Sequence, residues 1–441
     1  MKICFIPIDN RPVCYSLVKN IVSMDKSIEL FLPPRDLLGG LTKVSDISAL
    51  LDWLEFCPKS DAIILSLDTI AYGGLISSRR SSESFEEIVH RIKKLKQILL
   101  KKEAKIYAFS SIMRISNNNY NEEEKEYWKD FGTKIFEYSF SGGVNKSDIP
   151  QSILDDYLKT RKRNFEINKL YLEWQKEGFF DTLIFSKDDC AVSGFNVEEA
   201  NELECLGGKI KTGADEIPLA LVSRAIKKNI NVYVDFTEPD YKNLISNYED
   251  ISIEQSVLGQ LELGGFNVVD SENSADIVLL VNNFIDKQGE LVMGWDTQRY
   301  NKNLVLPQKK YAIADVRFAN GADNAFVAKL LPQINLSNFC GYSAWNTSAN
   351  TLGSLLLGIK VQMYAEKYCE QAFKKLQMIR FLDDWAYQAN VRGMIQTPCD
   401  ISGLMQPFED ELSKVLGYRF LSKPNYFYPW CRKFEVEVDI L

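Results

Sequence analysis

The runs Val232–Tyr233–Val234–Asp235–Phe236 and Ile277–Val278–Leu279–Leu280–Val281, with a helical stretch near 252–263 between them, decide how the chain is counted. Each run is short, apolar and rich in β-branched residues, so strand–helix–strand is the natural reading, a small Rossmann-like unit. Working outward, further β-like runs lie at 2–8, 28–33, 62–67, 105–113, 182–187, 208–212, 311–316 and 338–345, alternating with helical stretches. Such alternation is the mark of a parallel sheet wrapped by helices. If the unit at 230–302 is an inserted α/β lobe, eight strands remain. The expectation is therefore an α/β protein with a (β/α)8-like parallel core built from 1–229 with 303–353, the inserted lobe 230–302, and a mainly helical C-terminal region 354–441. The alternative is two doubly wound α/β domains.

Composition narrows the function. The 441 residues are 46% hydrophobic and carry a formal charge of −8, so a sizeable core is assured and the basic excess of a nucleic-acid binder is missing. The start Met1–Lys2–Ile3–Cys4–Phe5–Ile6–Pro7–Ile8–Asp9 is apolar too briefly for a signal peptide or a membrane span, which predicts a cytoplasmic protein without a membrane partner. Nine scattered cysteines with no Cys-x-x-Cys pair read as reduced thiols, not a zinc site or a disulfide frame. The single histidine, His90, sits in a charged amphipathic stretch, which removes Ser-His-Asp and Cys-His catalysis and His-rich metal sites. No Gly-x-Gly-x-x-Gly or Walker-type loop occurs, so no cofactor is expected. Catalysis, if present, must run on carboxylates.

Carboxylates recur at strand ends. Thr182–Leu183–Ile184–Phe185–Ser186–Lys187 runs into the adjacent Asp188 and Asp189, where like charges raise one pKa as acid/base work requires. Neighbours on a strand face opposite ways, so both serve one site only if the strand ends at Lys187 and the chain turns there. Other strand ends offer Asp9 and Arg11, Asp68 with Tyr72 before Gly73–Gly74, and Arg114 as substrate-binding groups. A second acid pair, Asp215 and Glu216, follows Thr212–Gly213–Ala214 and is a second catalytic candidate. Later runs add Asn320 and Asp323, then Trp345 with Asn346 and Asn350, an aromatic face beside directional amides that suits a neutral polyol.

Two short likenesses favour sugar chemistry. Gly213–Ala214–Asp215–Glu216 is similar to the Gly-Gly-Asp-Glu tetrapeptide of hexosaminidase glycosidases, and the strand ending in Asp188–Asp189 resembles the catalytic pair of the O-GlcNAc hydrolase family. A longer resemblance covers nearly the whole chain. Pro7–Ile8–Asp9–Asn10–Arg11–Pro12, Leu67–Asp68–Thr69, Tyr72–Gly73–Gly74–Leu75, Asp188–Asp189, Asn320–Gly321–Ala322–Asp323, Trp345–Asn346–Thr347 and Asp384–Trp385 in this order resemble a bacterial family catalogued as domain of unknown function 4127. That resemblance implies a single full-length unit of function and no particular activity.

The residues are read first as a carboxylate-driven glycoside hydrolase or related sugar-processing enzyme, acting on a small polar substrate such as a sugar derivative. A Mg²⁺- or Mn²⁺-dependent hydrolase with Asp9, Asp68, Asp188 and Asp189 as oxygen ligands is the alternative, and a non-catalytic binder of a small polar ligand the third reading. The chain carries no signal for an oligomeric state.

Overall fold

The computed structural model describes residues 1–146 and 148–440. Met1–Tyr15, Glu29–Leu221 and Tyr248–Asp250 make one compact unit, and Ser16–Ile28, Val222–Asn247 and Ile251–Leu441 make the other.

The first unit is built on strands β1 (Lys2–Ile6), β2 (Glu29–Phe31), β3 (Ala62–Ser66), β4 (Lys105–Ile112), β5 (Thr182–Lys187) and β6 (Ile210–Thr212). All pair in parallel, in the order β2-β1-β3-β4-β5-β6. Parallel strands need helices on both faces, and β3 and β5 accordingly read as unbroken buried runs. The helices start where the sequence caps them. Asp46 accepts from Ala49 N ahead of the helix Ile47–Phe56, and Ser84 forms a capping box with Glu87 ahead of Phe85–Leu100. Leu50, Leu54, Ile88, Ile92 and Leu95 from these helices pack with Ile6, Ile63 and Leu65 of the sheet in one core.

The second unit holds β7 (Asn231–Phe236), β8 (Asn267–Val268), β9 (Ile277–Asn282), β10 (Gly289–Glu290), β11 (Tyr311–Asp315), β12 (Phe318–Ala319) and β13 (Phe339–Ser343). Five of these form a parallel sheet in the order β13-β11-β9-β7-β8, while β10 and β12 make a two-residue ladder of their own. The helix Ser348–Tyr364 is buried over most of its length and packs Leu352, Leu355, Leu356 and Ile359 into the core of that sheet.

These are mixed α/β units with open parallel sheets, in place of the expected (β/α)8-like core with an insertion. The reason lies in β9. It pairs with β7 on one side and β11 on the other, so the run 277–282 is interior to a five-stranded sheet and does not belong to a separate lobe. Each sheet begins inside, steps to a neighbouring edge, returns past its first strand and then winds outward, the doubly wound order in which ligands bind at the carboxyl ends beside the reversal. The reversal falls between β1 and β3 in the first unit and between β7 and β9 in the second. Past residue 354, the helices Glu370–Arg380 and Ser402–Leu416 are followed by an antiparallel pair, Asn425–Phe427 with Glu437–Asp439. Among the described residues no helix is long and apolar enough to cross a membrane.

Candidate active site

The carboxyl ends of the first sheet are laced together by side chains. Thr69 donates from Oγ1 to Pro7 O at 2.7 Å, tying the exit of β3 to that of β1. Asp68 accepts from Ser111 N at 2.8 Å, tying it to β4, and Ser186 Oγ donates to Ser111 Oγ at 3.2 Å across to β5. Gly73 closes the short helix Leu67–Tyr72 with φ +85°, a left-handed turn in which an added Cβ would stand 2.2 Å from Val44 Cγ1. These bonds fix the loops that carry the acids.

Arg11 is the first hub. Its Nε donates to Asp9 Oδ2 at 2.9 Å, its backbone N donates to Asp9 Oδ1 at 2.9 Å, and its Nη1 donates to Asp215 Oδ2 at 3.3 Å, with a further contact from Nη2 to Asp215 Oδ1. All three side chains are buried. Burial pushes the Asp215 carboxyl above its ordinary value, opposed by the Arg11 charge. Cys14 stands against the same pair, and ligand atoms of Asp9, Cys14 and Asp215 lie within 4.8 Å of one another.

Arg114 is the second hub. It donates from Nη1 to Asp189 Oδ2 at 2.6 Å, from Nη2 to Glu123 Oε2 at 2.9 Å and from Nε to Glu124 Oε1 at 3.1 Å. Arg79, itself buried, reaches Glu124 at 3.3 Å from behind. Fork-shaped guanidinium groups can satisfy several carboxylates at once in this way.

Asp188 stands between the hubs. β5 ends at Lys187 and Asp189 takes φ +44°, so the chain turns sharply and both aspartates reach the same edge. A left-handed aspartate is held there at some cost in backbone strain. Asp189 receives a direct bond from Arg114, whereas Asp188 is 3.9 Å from it. Burial, then the negative charges of Asp189 and Asp215, push the Asp188 carboxyl up to about 8, opposed by Arg114 and Arg79. An acid that keeps its proton thus sits beside an ion-paired carboxylate, the division that general acid catalysis requires.

Other sequence candidates take different places. Asp68 is 1% exposed, and burial lifts its carboxyl to about 7. Tyr72 is packed in the core with the Arg163 guanidinium 5.4 Å from its ring centre, and Glu216 is fully buried. Asn320, Asp323, Trp345, Asn346 and Asn350 belong to the second unit. There Asp323 caps the helix Asn324–Leu330, accepting from Ala325 N at 3.0 Å and Tyr300 N at 2.7 Å. Asn346 donates to Asn320 at 3.0 Å and Asn350 donates to Asn346 at 3.3 Å, an amide ladder that fixes a turn. Trp345 is buried and presents no open face to a sugar.

Arg79, Glu123 and Glu124 were absent from the sequence-derived site. The acid-rich run 122–124 reads as part of a helical excursion off the core over 116–175, placed at the site mouth but with no role for its single acids, and Arg114, nine or ten residues earlier, is the group they fold back on. In the second unit Asp315 and Arg317, members of the polar run 314–323, join Glu238 and Asn282 in a buried network, and these last two carry no signal in the sequence. Arg317 spends its donors on Asn282 Oδ1 at 3.2 Å, Gln298 O at 2.9 Å and Glu238 Oε1 at 2.9 Å, which marks it as a structural brace.

The family model described as a protein of unknown function, DUF4127, matches residues 3–439. No curated protein and no solved structure matches the chain.

Proposed function

We propose, for a chain that belongs to this family of unknown function, that the carboxyl edge of the first sheet is the active site of a carboxylate-driven hydrolase of glycoside type. The observation that carries the reading is the unequal treatment of adjacent acids: Arg114 lies 2.6 Å from Asp189 but 3.9 Å from Asp188, whose carboxyl burial pushes up to about 8. Asp188 donates its proton to the leaving oxygen as the bond to it breaks. Asp189, fixed as an anion, stabilises the oxocarbenium-like charge that develops. Asp215, tied to Arg11, supplies a third carboxylate whose charge reaches Asp188.

Charge narrows the substrate. Arg11, Arg79 and Arg114 are each already ion-paired to carboxylates, so a phosphate or carboxylate ligand would compete with bonds in place. A neutral polyol or an amino sugar suits the site better. The test is a panel of aryl glycosides, N-acetylhexosaminides included, assayed with wild type, Asp188→Asn and Asp189→Asn. Turnover by wild type that collapses in both variants supports the reading; an inert wild type, or full activity in both variants, overturns it.

A second reading is favoured by Asp9, Cys14 and Asp215, whose ligand atoms are close enough to share a divalent metal. Against it, the Arg11 guanidinium already occupies oxygens of both carboxylates. Activity that vanishes with EDTA and returns with Mn²⁺ or Zn²⁺ would move this reading to the front.

A further inference from the structure

At the opposite, amino-terminal edge of the first sheet lies a cavity of about 200 Å³ lined by Cys4, Cys57, Ser60, Lys101, Lys102 and Ala104. Cys4 sits in the middle of β1 and is 1% exposed, while Cys57 ends the helix Ile47–Phe56 and is 7% exposed at the cavity. Both side chains line this one cavity, and each acts on the other, raising the pKa of the Cys4 thiol and lowering that of Cys57. Lys102 donates from Nζ to Cys57 O at 2.9 Å and to Glu55 O at 2.8 Å, which holds a positive charge beside the thiol.

We propose that Cys4 and Cys57 form a reversible thiol–disulfide pair, with Cys57 as the residue attacked by a hydroperoxide entering the cavity and Cys4 as the resolving thiol. The Cys57 thiolate attacks the distal peroxide oxygen, the O–O bond breaks, and Cys57 becomes a sulfenic acid while the peroxide leaves as water or an alcohol after protonation. The Cys4 sulfur then attacks the Cys57 sulfur, the S–OH bond breaks, the Cys4 proton leaves with the hydroxide as water, and the disulfide forms. Two thiols are oxidised by two electrons and one peroxide is reduced.

The pair divides the labour as this sequence of steps demands. Cys57 is the more exposed of the two at the cavity and has Lys102 bonded to its own carbonyl, and the neighbouring Cys4 side chain and then the Lys102 charge favour its thiolate against the cost of burial, whereas the Cys57 contact and burial hold the Cys4 proton on. The other buried thiols lack this setting. Burial pushes Cys340 up to about 12, and it serves as an internal control. A bond here would tie β1 to the segment leading into β3, the two strands that flank the reversal of the sheet.

The experiment uses the full chain with the exposed Cys205, Cys399 and Cys431 replaced by serine, treated with hydrogen peroxide and mapped by non-reducing peptide mass spectrometry. The expected result is loss of two thiols, one linked peptide pair containing Cys4 and Cys57, and full recovery with dithiothreitol. In Cys4→Ser the sulfenic acid on Cys57 should persist and be captured by dimedone, at least about tenfold faster than any label on Cys340. In Cys57→Ser the same peroxide dose should consume no thiol pair. Melting curves identify any unfolded variant, for which Cys4→Ala or Cys57→Ala is substituted. Linkage between other cysteines, thiol loss unchanged by removing Cys57, or Cys57 labelled no faster than Cys340 would each overturn the proposal.

Discussion

Arg114 Nη1 lies 2.6 Å from Asp189 Oδ2 and 3.9 Å from Asp188 Oδ2, so of two adjacent acids one holds a direct ion pair while burial keeps the proton on the other. The turn that makes this separation possible is Asp189 itself, at φ +44°. Backbone geometry and charge therefore act on the same two residues.

Asp188→Asn keeps shape and neutrality but removes the transferable proton. Turnover of a responsive glycoside should fall by roughly two or more orders of magnitude, the usual scale for losing a positioned acid, with KM little changed. Steady-state kinetics beside a circular dichroism spectrum would check both halves.

Stability should fall as pH rises through neutrality. The folded chain keeps a proton on Asp188 to about 8 and on Asp68 to about 7, whereas the unfolded chain releases both near the ordinary 3.8. Between those limits the folded state binds more protons, so each group lowers stability by up to about 1.4 kcal/mol per pH unit over its window. Urea midpoints measured from pH 4 to pH 9 should show that slope, and Asp188→Asn should flatten it.

The pH–rate profile should lose activity as pH rises through about 8, where Asp188 gives up its proton. Arg114 opposes the upward push on that carboxyl, so Arg114→Gln should move the alkaline limb to higher pH while lowering turnover. A limb that stays in place would separate Arg114 from Asp188.

Arg11→Ala leaves Asp9 and Asp215 buried without their shared counter-ion. The expected cost is about 3–5 kcal/mol, read as an early urea midpoint. Arg11→Lys, with one charge but no fork, should recover part of it.

Ten of the fifteen described strands were legible because apolar β-branched runs between turn residues have few other outcomes, whereas β8, β10, β12 and the antiparallel pair 425–427 with 437–439 are two or three residues long and leave no such run. The partners of the ten were harder to see. The run Ile277–Val278–Leu279–Leu280–Val281 looks the same in a small lobe as in a large sheet, although apolar residues on both of its faces already argue for an interior strand. At the site, Asp188 and Asp189 announced themselves through their position after β5. Asp323 misled because a helix cap and a ligand contact use the same residue types. Glu123 and Glu124 carried no local signal, since their partners Arg79 and Arg114 are joined to them only by the folded chain.

Tyr248–Asp250, three residues that come after the first strand of the second sheet, belong to the first unit, and the Asp250 carboxylate pairs there with the buried Lys187 ammonium. Ser16–Ile28 makes the reverse exchange near the start of the chain. A stop codon after Leu221, or a proteolytic nick between there and Tyr248 followed by separation of the pieces, strips Lys187 of its counter-ion. Neither half of the gene is therefore a self-sufficient module, and a library of truncations will find no single place to cut.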